Sequence, residues 1–257
     1  MISRMYHVFK KSANRIIQQL LGIKLHRVQH GCQDWFDIQS SGCRINTIFD
    51  VGANIGQSAL KFREAFPDSL IYCFEPVSST FKQLKANVSS DKNINCSAIA
   101  FGSIPGNSTI YLTPTSLTNS LIPTVAAEYL PKNNHDIEID PKTMQSEKVM
   151  VKTIDNFVLE NHIERIDLLK IDTEGFDLEV LKGASHALSA GRISFVLAEV
   201  GFNPVDRRHV LFDDVRSYLM DKGFSLFGIY DQQLEWSGEN RMRYANVCFC
   251  NEKAFNK

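Results

Sequence analysis

The chain has no strong excess of charge of either sign, because its 28 basic and 29 acidic residues leave a formal net charge of −1. Nucleic-acid grooves are rich in Lys and Arg, so this balance does not favour DNA or RNA as a partner. The sequence also lacks an apolar run of about 20 residues, the length that a transmembrane helix needs. It has no repeats or low-complexity tracts, and its 257 residues suit one α/β domain.

The six cysteines are scattered, and no C-x-x-C pair occurs among them. A structural zinc site needs clustered thiolate or imidazole ligands, so we do not expect one. Unpaired cysteines within apolar strand patterns are typical of a reduced protein. We therefore expect a cytoplasmic location.

Residues 1–44 differ in charge from the rest, since the first acidic residue is Asp34. Apolar side chains recur at helical spacing from Met5 to Leu21, and Gly22 follows. This pattern predicts a basic amphipathic helix, which can lie on an anionic membrane surface. It can equally pack on the domain itself or on a second copy in a homodimer. Residues 28–46 are typical of a loop-rich approach to a domain over residues 45–257, with Trp35 and Phe36 as packing anchors.

The most informative stretch is Thr47–Gly56, an apolar run that ends in Asp50-Val51-Gly52-Ala53-Asn54-Ile55-Gly56. The apolar residues predict a strand, the small residues predict a tight turn, and the spacing that follows predicts a helix. Glycines let the backbone approach a ligand, and the N–H groups that begin a helix face that ligand. We expect Asp50, Gly52, Asn54 and Gly56 to bind a cofactor.

A second apolar run, Leu70–Phe74, ends in Glu75 followed by Pro76. An acidic residue about 20 positions after a glycine turn is placed to hold the two hydroxyls of a ribose. The turn departs from the dinucleotide pattern G-x-G-x-x-G, because Asn54 stands at the second glycine position. The carboxylate of Asp50 would repel a pyrophosphate and attract an ammonium group. These residues favour S-adenosylmethionine over NAD.

Both motifs, together with the later stretch Ile166–Gly175, resemble the FkbM family of methyltransferases. The resemblance runs from about Ile45 to Cys250, with Thr173 where the family usually has Val. It implies a Rossmann-like, seven-stranded class I methyltransferase fold, S-adenosylmethionine as cofactor, and O-methylation of a saccharide or another natural product. It also implies that Val77 and Ile99 flank the adenine. By position, the polar loop at residues 116–120 would lie near the cofactor and the acceptor, although a solvated turn is an equal alternative.

Strand and helix patterns alternate along the chain, which predicts a doubly wound, mainly parallel sheet. We expect strands at residues 94–101, 149–153, 166–171, 193–200, 225–230 and 244–250, and one helix over residues 176–188. Residues 124–147 show no period and form a polar insertion. The insertion is either a lid that contacts the acceptor or mobile decoration.

Ligands of such sheets gather beyond the carboxyl ends of the strands, where the acidic residues Asp50, Glu75, Asp172, Glu174 and Glu199 all fall. A hydroxyl acceptor needs a general base. Asp172 and Glu174 are the first candidates for this role, Glu199 and His209 come next, and Asp172 also borders the cofactor.

Each catalytic candidate has a structural alternative. Asp172 could cap the next helix, and Glu174 could pair with Lys170. Glu199 could pair with Arg207 or Arg208, and the sequence around His209 is typical of a solvated turn. Asp172, Glu174 and Glu199 could also hold a divalent cation, but their spacing does not require one, and we assign no metal.

Three functions remain open from the sequence alone. The first is an S-adenosylmethionine-dependent O-methyltransferase that acts on a small-molecule or saccharide acceptor. The second is an NAD-type oxidoreductase on a similar sheet, which the missing fingerprint glycine disfavours. The third is a scaffold that kept the fold without the chemistry.

Overall fold

The computed structural model describes residues 33–128, 141–206, 208–235 and 240–254. The predicted amphipathic helix and the centre of the predicted insertion lie outside these ranges. Within the described part of the chain, no helix has the length and apolarity that crossing a bilayer requires. The division into residues 1–44 and 45–257 remains a prediction.

The described strands are β1 Thr47–Val51, β2 Leu70–Phe74, β3 Ile94–Ser97, β4 Ala100–Phe101, β5 Gly106–Tyr111, β6 Ser146–Lys152, β7 Ile166–Ile171, β8 Ile193–Gly201, β9 Phe224–Leu234 and β10 Met242–Asn251. The described α-helices are α1 Asp34–Ser40, α2 Gln57–Ala65, α3 Ser78–Val88, α4 Pro123–Glu128, α5 Ile154–Glu160, α6 Asp177–Lys182, α7 Ser185–Ser189 and α8 Phe212–Met220. Three short 3₁₀ turns lie at Ser116–Thr118, Pro141–Thr143 and Glu252–Ala254.

The main sheet has seven strands in the order β3-β2-β1-β7-β8-β10-β9. Its neighbours pair in parallel except at β10, which is antiparallel to both β8 and β9. The order reverses between β1 and β7, so the carboxyl ends of these strands open a crevice. The predicted seven-stranded class I methyltransferase fold is confirmed.

Two local predictions from the sequence are wrong, and the loop-rich approach contains a helix. Residues 94–101 are two strands rather than one, because β3 pairs with β2 while Ala100 pairs with Val151 in a second, three-stranded sheet β4-β6-β5. Residues 176–188 form two helices that part around Gly183, where a Cβ atom would lie 2.1 Å from the Gly102 carbonyl oxygen. The approach to the domain is not loop throughout, since α1 packs there on α2 and β9.

Two apolar layers cover the main sheet. One contains Phe49, Phe157 and Leu181 and lies under α5 to α8, whereas the other contains Ile48, Phe62 and Leu84 and lies under α1 to α3. Because the central strand β7 is buried along its whole length, its residues read as a nearly continuous apolar run. The exceptions are Asp167 near its start and Lys170 near its end.

Lys170 joins the ends of the two central strands. Its Nζ atom lies 3.1 Å from Oδ1 of Asp50, 3.3 Å from Oδ2 of Asp172 and 3.3 Å from the carbonyl oxygen of Gly52. Burial alone would lower the pKa of Lys170, but the carboxylates of Asp172 and Asp50 raise it above its usual value. Lys170 is therefore a buried ammonium that balances two carboxylates at the crevice.

Replacing Lys170 with Met should lower the free energy of unfolding by about 3–5 kcal/mol, because Asp50 would remain buried without its partner. Urea unfolding measures this change. The control is Lys182→Met, which removes an exposed pair with Glu179 and should cost less than about 1 kcal/mol. The double variant Lys170→Met/Asp50→Asn should recover part of the loss. Equal costs for the two single variants would contradict the role given to Lys170.

Candidate active site

The turn after β1 is packed against the ends of both β2 and β7. The Gly52 and Ala53 N–H groups both donate to the Phe74 carbonyl oxygen, at 3.0 Å each. Gly52 has a φ of +74°, and a Cβ atom there would lie 1.9 Å from the Asp172 carbonyl oxygen. Only glycine fits this position, which brings the turn and Asp172 into one site.

Glu75 is fixed beside this turn by two backbone donors. Its Oε1 accepts from the Val77 N–H at 2.9 Å and its Oε2 accepts from the Asn54 N–H at 3.2 Å. The side chain is buried, and this burial raises the pKa of Glu75 to about 7 despite those hydrogen bonds. The two donors hold the carboxylate in one orientation at the end of β2.

A cavity lies above the ends of β1 and β2, with about 640 Å³ of empty space that is partly open to solvent. We call it the β1–β2 cavity. Its wall is formed by Val51, Gly52, Asn54, Phe74, Glu75, Pro76, Ile99, Ala100, Phe101, Ile110, Ser116, Leu117, Asn119, Leu121, Asp172, Thr173 and Glu174. Within the described ranges, this wall contains three carboxylates and neither Lys nor Arg, so it suits a ligand without phosphate groups.

Six of the residues that the sequence suggested line this cavity: Gly52, Asn54, Glu75, Ile99, Asp172 and Glu174. The polar loop also reaches the wall, and the Ser116 hydroxyl donates to Oδ1 of Asn54 at 3.1 Å. The apolar residues of the second sheet, such as Ile110 and Leu121, were not among the predicted site residues. Ile110 stands between Thr109 and Tyr111, and that alternation was the available signal for an inward-facing side chain.

The other suggested residues lie near the cavity without lining it. Asp50 is fully buried and pairs with Lys170 instead of facing a ligand. Gly56 starts α2, and a Cβ atom there would lie 3.1 Å from Leu84, so it serves helix packing. Val77 supplies its N–H group to Glu75 and packs in the core of the second sheet.

Asp172, Glu174 and Glu199 meet at the same edge, with carboxylate oxygens within 4.8 Å of one another. This spacing would suit a divalent cation, but the protein also provides positive charge here. Lys170 pairs with Asp172, and His209 pairs with Glu199 at 3.2 Å. Asp177 lies buried nearby, and burial together with the charges of Asp172 and Glu199 raises its pKa to about 7.

His209 is enclosed, unlike the solvated turn that its sequence context suggested. Its side chain is 6% exposed and stacks on Tyr244 with 4.4 Å between ring centroids. Its Nδ1 lies 3.1 Å from Asp206, and its Nε2 lies 3.2 Å from Glu199. Burial alone would lower the pKa of His209, but these two carboxylates raise it to about 9. At neutral pH His209 is therefore protonated and positively charged, and it pairs with Glu199.

A second cavity, which we call the α1–α2 cavity, lies between these two helices, the end of β7 and inner positions of β8, β9 and β10. It has about 1350 Å³ of empty space, also partly open to solvent. Its wall is formed by Gln33, Asp34, Trp35, Gln39, Ser58, Lys61, Phe62, Glu64, Ala65, Lys170, Ile171, Asp172, Leu197, Asp231 and Asn246. Asp172 belongs to the walls of both cavities.

Curated relatives match part of the chain. Methyltransferase 1 of Beauveria bassiana is 30% identical over 152 residues, which are 53% of this chain and 57% of that protein. The hexuronic acid methyltransferase AglP of Haloferax volcanii is 28% identical over 174 residues, which are 63% of this chain and 59% of that protein. The chain thus matches less than two thirds of the length of either relative.

Among solved structures, the magnesium protoporphyrin IX methyltransferase ChlM of Synechocystis PCC 6803, with bound S-adenosylmethionine, is similar over 85% of this chain and 76% of that one. The TM-score is 0.45 and the identity is 10%, so the strand order, rather than this neighbour, identifies the fold. A family model described as a methyltransferase FkbM domain matches residues 50–226, which is more than half of the chain. The chain belongs to the FkbM family, whose methyltransferases use S-adenosylmethionine as their cofactor.

Proposed function

We propose that this chain, through residues 45–257, transfers a methyl group from S-adenosylmethionine to a hydroxyl of a saccharide or a similar natural product. The observation that carries the proposal is the position of Asp172, a residue that lines both the β1–β2 cavity and the α1–α2 cavity. One cavity then takes the cofactor, the other takes the acceptor, and Asp172 stands between them. The printed name of one relative, a hexuronic acid methyltransferase, supports a sugar acceptor.

The β1–β2 cavity fits the parts of the cofactor. Glu75, Ile99 and Leu117 line this cavity. Glu75 would accept hydrogen bonds from the ribose hydroxyls, and Ile99 and Leu117 would provide apolar walls for the adenine. Asp172 and Glu174 place negative charge at the other end, where the cofactor is positively charged. When bound there, the cofactor supplies a methyl group on a sulfonium sulfur.

The residues of this chain then handle the acceptor and its proton. Asp172 would accept the proton of the acceptor hydroxyl during the transfer. Lys170 holds the Asp172 side chain through its 3.3 Å contact. Glu199 is held by protonated His209 and keeps negative charge next to the reacting groups. His209 itself does not serve as the base, because it already carries a proton.

Replacing Asp172 with Asn should lower the rate of methyl transfer by roughly 10²–10⁴-fold, the usual contribution of a general base. Binding of S-adenosylhomocysteine should change much less than the rate, because its sulfur is uncharged, Glu174 keeps its charge and the amide keeps the shape of the side chain. Transfer of a labelled methyl group to methyl glycosides measures the first effect, and calorimetry measures the second. Asp214→Asn, an exposed change on α8, is the matched control. Full transfer by the Asp172→Asn variant would remove Asp172 from this role.

Binding of S-adenosylhomocysteine should weaken as pH falls, because the ribose hydroxyls donate to ionised Glu75. With its pKa at about 7, the ionised fraction falls on the order of tenfold from about pH 8 to about pH 6, and affinity should fall with it. Calorimetry at both pH values tests this. Glu75→Gln should bind more weakly at both and lose the pH dependence. An unchanged pH dependence in this variant would assign the titration to another group, such as Asp177.

A further inference from the structure

The α1–α2 cavity brings together polar side chains from distant parts of the chain. Asp34 and Trp35 come from α1, Asp231 from β9 and Asn246 from β10. The Asn246 amide nitrogen donates to Oδ2 of Asp231 at 3.1 Å. Burial raises the pKa of Asp34, and the nearby charge of Asp231 adds to this shift. Two carboxylates and an amide therefore share one side of the cavity.

The charge that the described residues give this wall is negative. Among them are four carboxylates, from Asp34, Glu64, Asp172 and Asp231, against the two ammonium groups of Lys61 and Lys170. The charge of Lys170 is already balanced by its contacts with Asp50 and Asp172. An anionic ligand would meet repulsion here, whereas hydroxyl and ammonium groups would meet acceptors.

Trp35 gives the cavity an aromatic surface. Its side chain is half-buried and packs against the core layer under α1 to α3, which fixes its position. An indole face is an apolar surface for the C–H groups of a ring and attracts a nearby cation. An aromatic surface beside carboxylates and an amide is the chemistry that recognises a ring with several hydroxyl groups.

We propose that the α1–α2 cavity is the acceptor site, and that its carboxylates select an uncharged or amine-bearing polyhydroxylated ring over an anionic one. This inference rests on the methyl transfer proposed above. The acceptor hydroxyl points to Asp172 and gives up its proton to that carboxylate. The hydroxyl oxygen bonds to the methyl carbon as the bond from that carbon to the sulfur breaks, which leaves a neutral thioether. Asp34, Asp231 and Asn246 hold the other hydroxyl groups of the ring.

A bulky substitution on α2 that fills the α1–α2 cavity tests the location of the acceptor. Ser58 lines the cavity, whereas Leu60, on the same helix, is 45% exposed and lines neither cavity. Ser58→Trp should reduce methyl transfer by more than roughly tenfold and leave S-adenosylhomocysteine binding unchanged, since the bulky side chain competes only with the acceptor. Leu60→Trp should leave both unchanged. Normal transfer by Ser58→Trp would place the acceptor elsewhere.

The selection by charge is tested with three matched probes: methyl glucoside, methyl glucosaminide and methyl glucuronide. The wild type should methylate the glucuronide more slowly than the other two, by on the order of tenfold. The double variant Asp34→Asn/Asp231→Asn should reduce that preference. A glucuronide that is the best acceptor, or a preference that the double variant keeps, would overturn the inference.

Calorimetric binding of S-adenosylhomocysteine separates this inference from the function on which it rests. A protein that does not bind S-adenosylhomocysteine contradicts the proposed function itself. A protein that binds it and methylates none of the three probes contradicts only the acceptor class assigned to the α1–α2 cavity.

Discussion

The contact on which the site depends is the buried ammonium of Lys170 between the carboxylates of Asp50 and Asp172. Two acids at the ends of adjacent central strands would repel each other in a medium of low dielectric constant. Lys170 removes that repulsion and also contacts the carbonyl oxygen of Gly52, so one side chain fixes β1, the turn and the end of β7. The turn and Asp172 can therefore share an edge.

The carboxyl edge of the sheet has two sides with different chemistry. On the side of β1 and β2, the wall is mostly apolar and its charged groups are carboxylates, with Glu75 held by two N–H groups. On the side of α1 and α2, the wall is polar and carries Trp35 among acids and amides. Asp172 belongs to both walls, which is why the proposed reaction gives it the proton of the acceptor.

The sequence predicted the parts of the fold that depend on local pattern. Apolar runs that end in Asp50, Glu75 and Asp172 marked the central strands, because buried parallel strands are apolar along their whole length. The prediction of a single strand over residues 94–101 was wrong, because periodicity does not show that the chain leaves one sheet for another within a few residues. The break at Gly183 was missed because it follows from a close approach to Gly102, which is distant in sequence.

The sequence did not predict the surroundings of site residues whose partners are distant in the chain. Asp50 was expected to face an ammonium of the cofactor, but the ammonium beside it belongs to Lys170, which is 120 positions away in the chain. The environment of His209 depends on Asp206, Glu199 and Tyr244 together, and its neighbours in sequence suggested exposure. The α1–α2 cavity joins residues from both ends of the described chain, so no single stretch marks it.

A crystal structure of the protein with S-adenosylhomocysteine tests most directly whether Asp172 marks the boundary between cofactor and acceptor. The account predicts ribose hydroxyls within hydrogen-bond distance of Glu75, adenine beside Ile99, and the sulfur at the Asp172 end of the β1–β2 cavity. The α1–α2 cavity should then open towards that sulfur. A ligand whose ribose lies away from Glu75, or whose sulfur faces away from Asp172, would contradict the account.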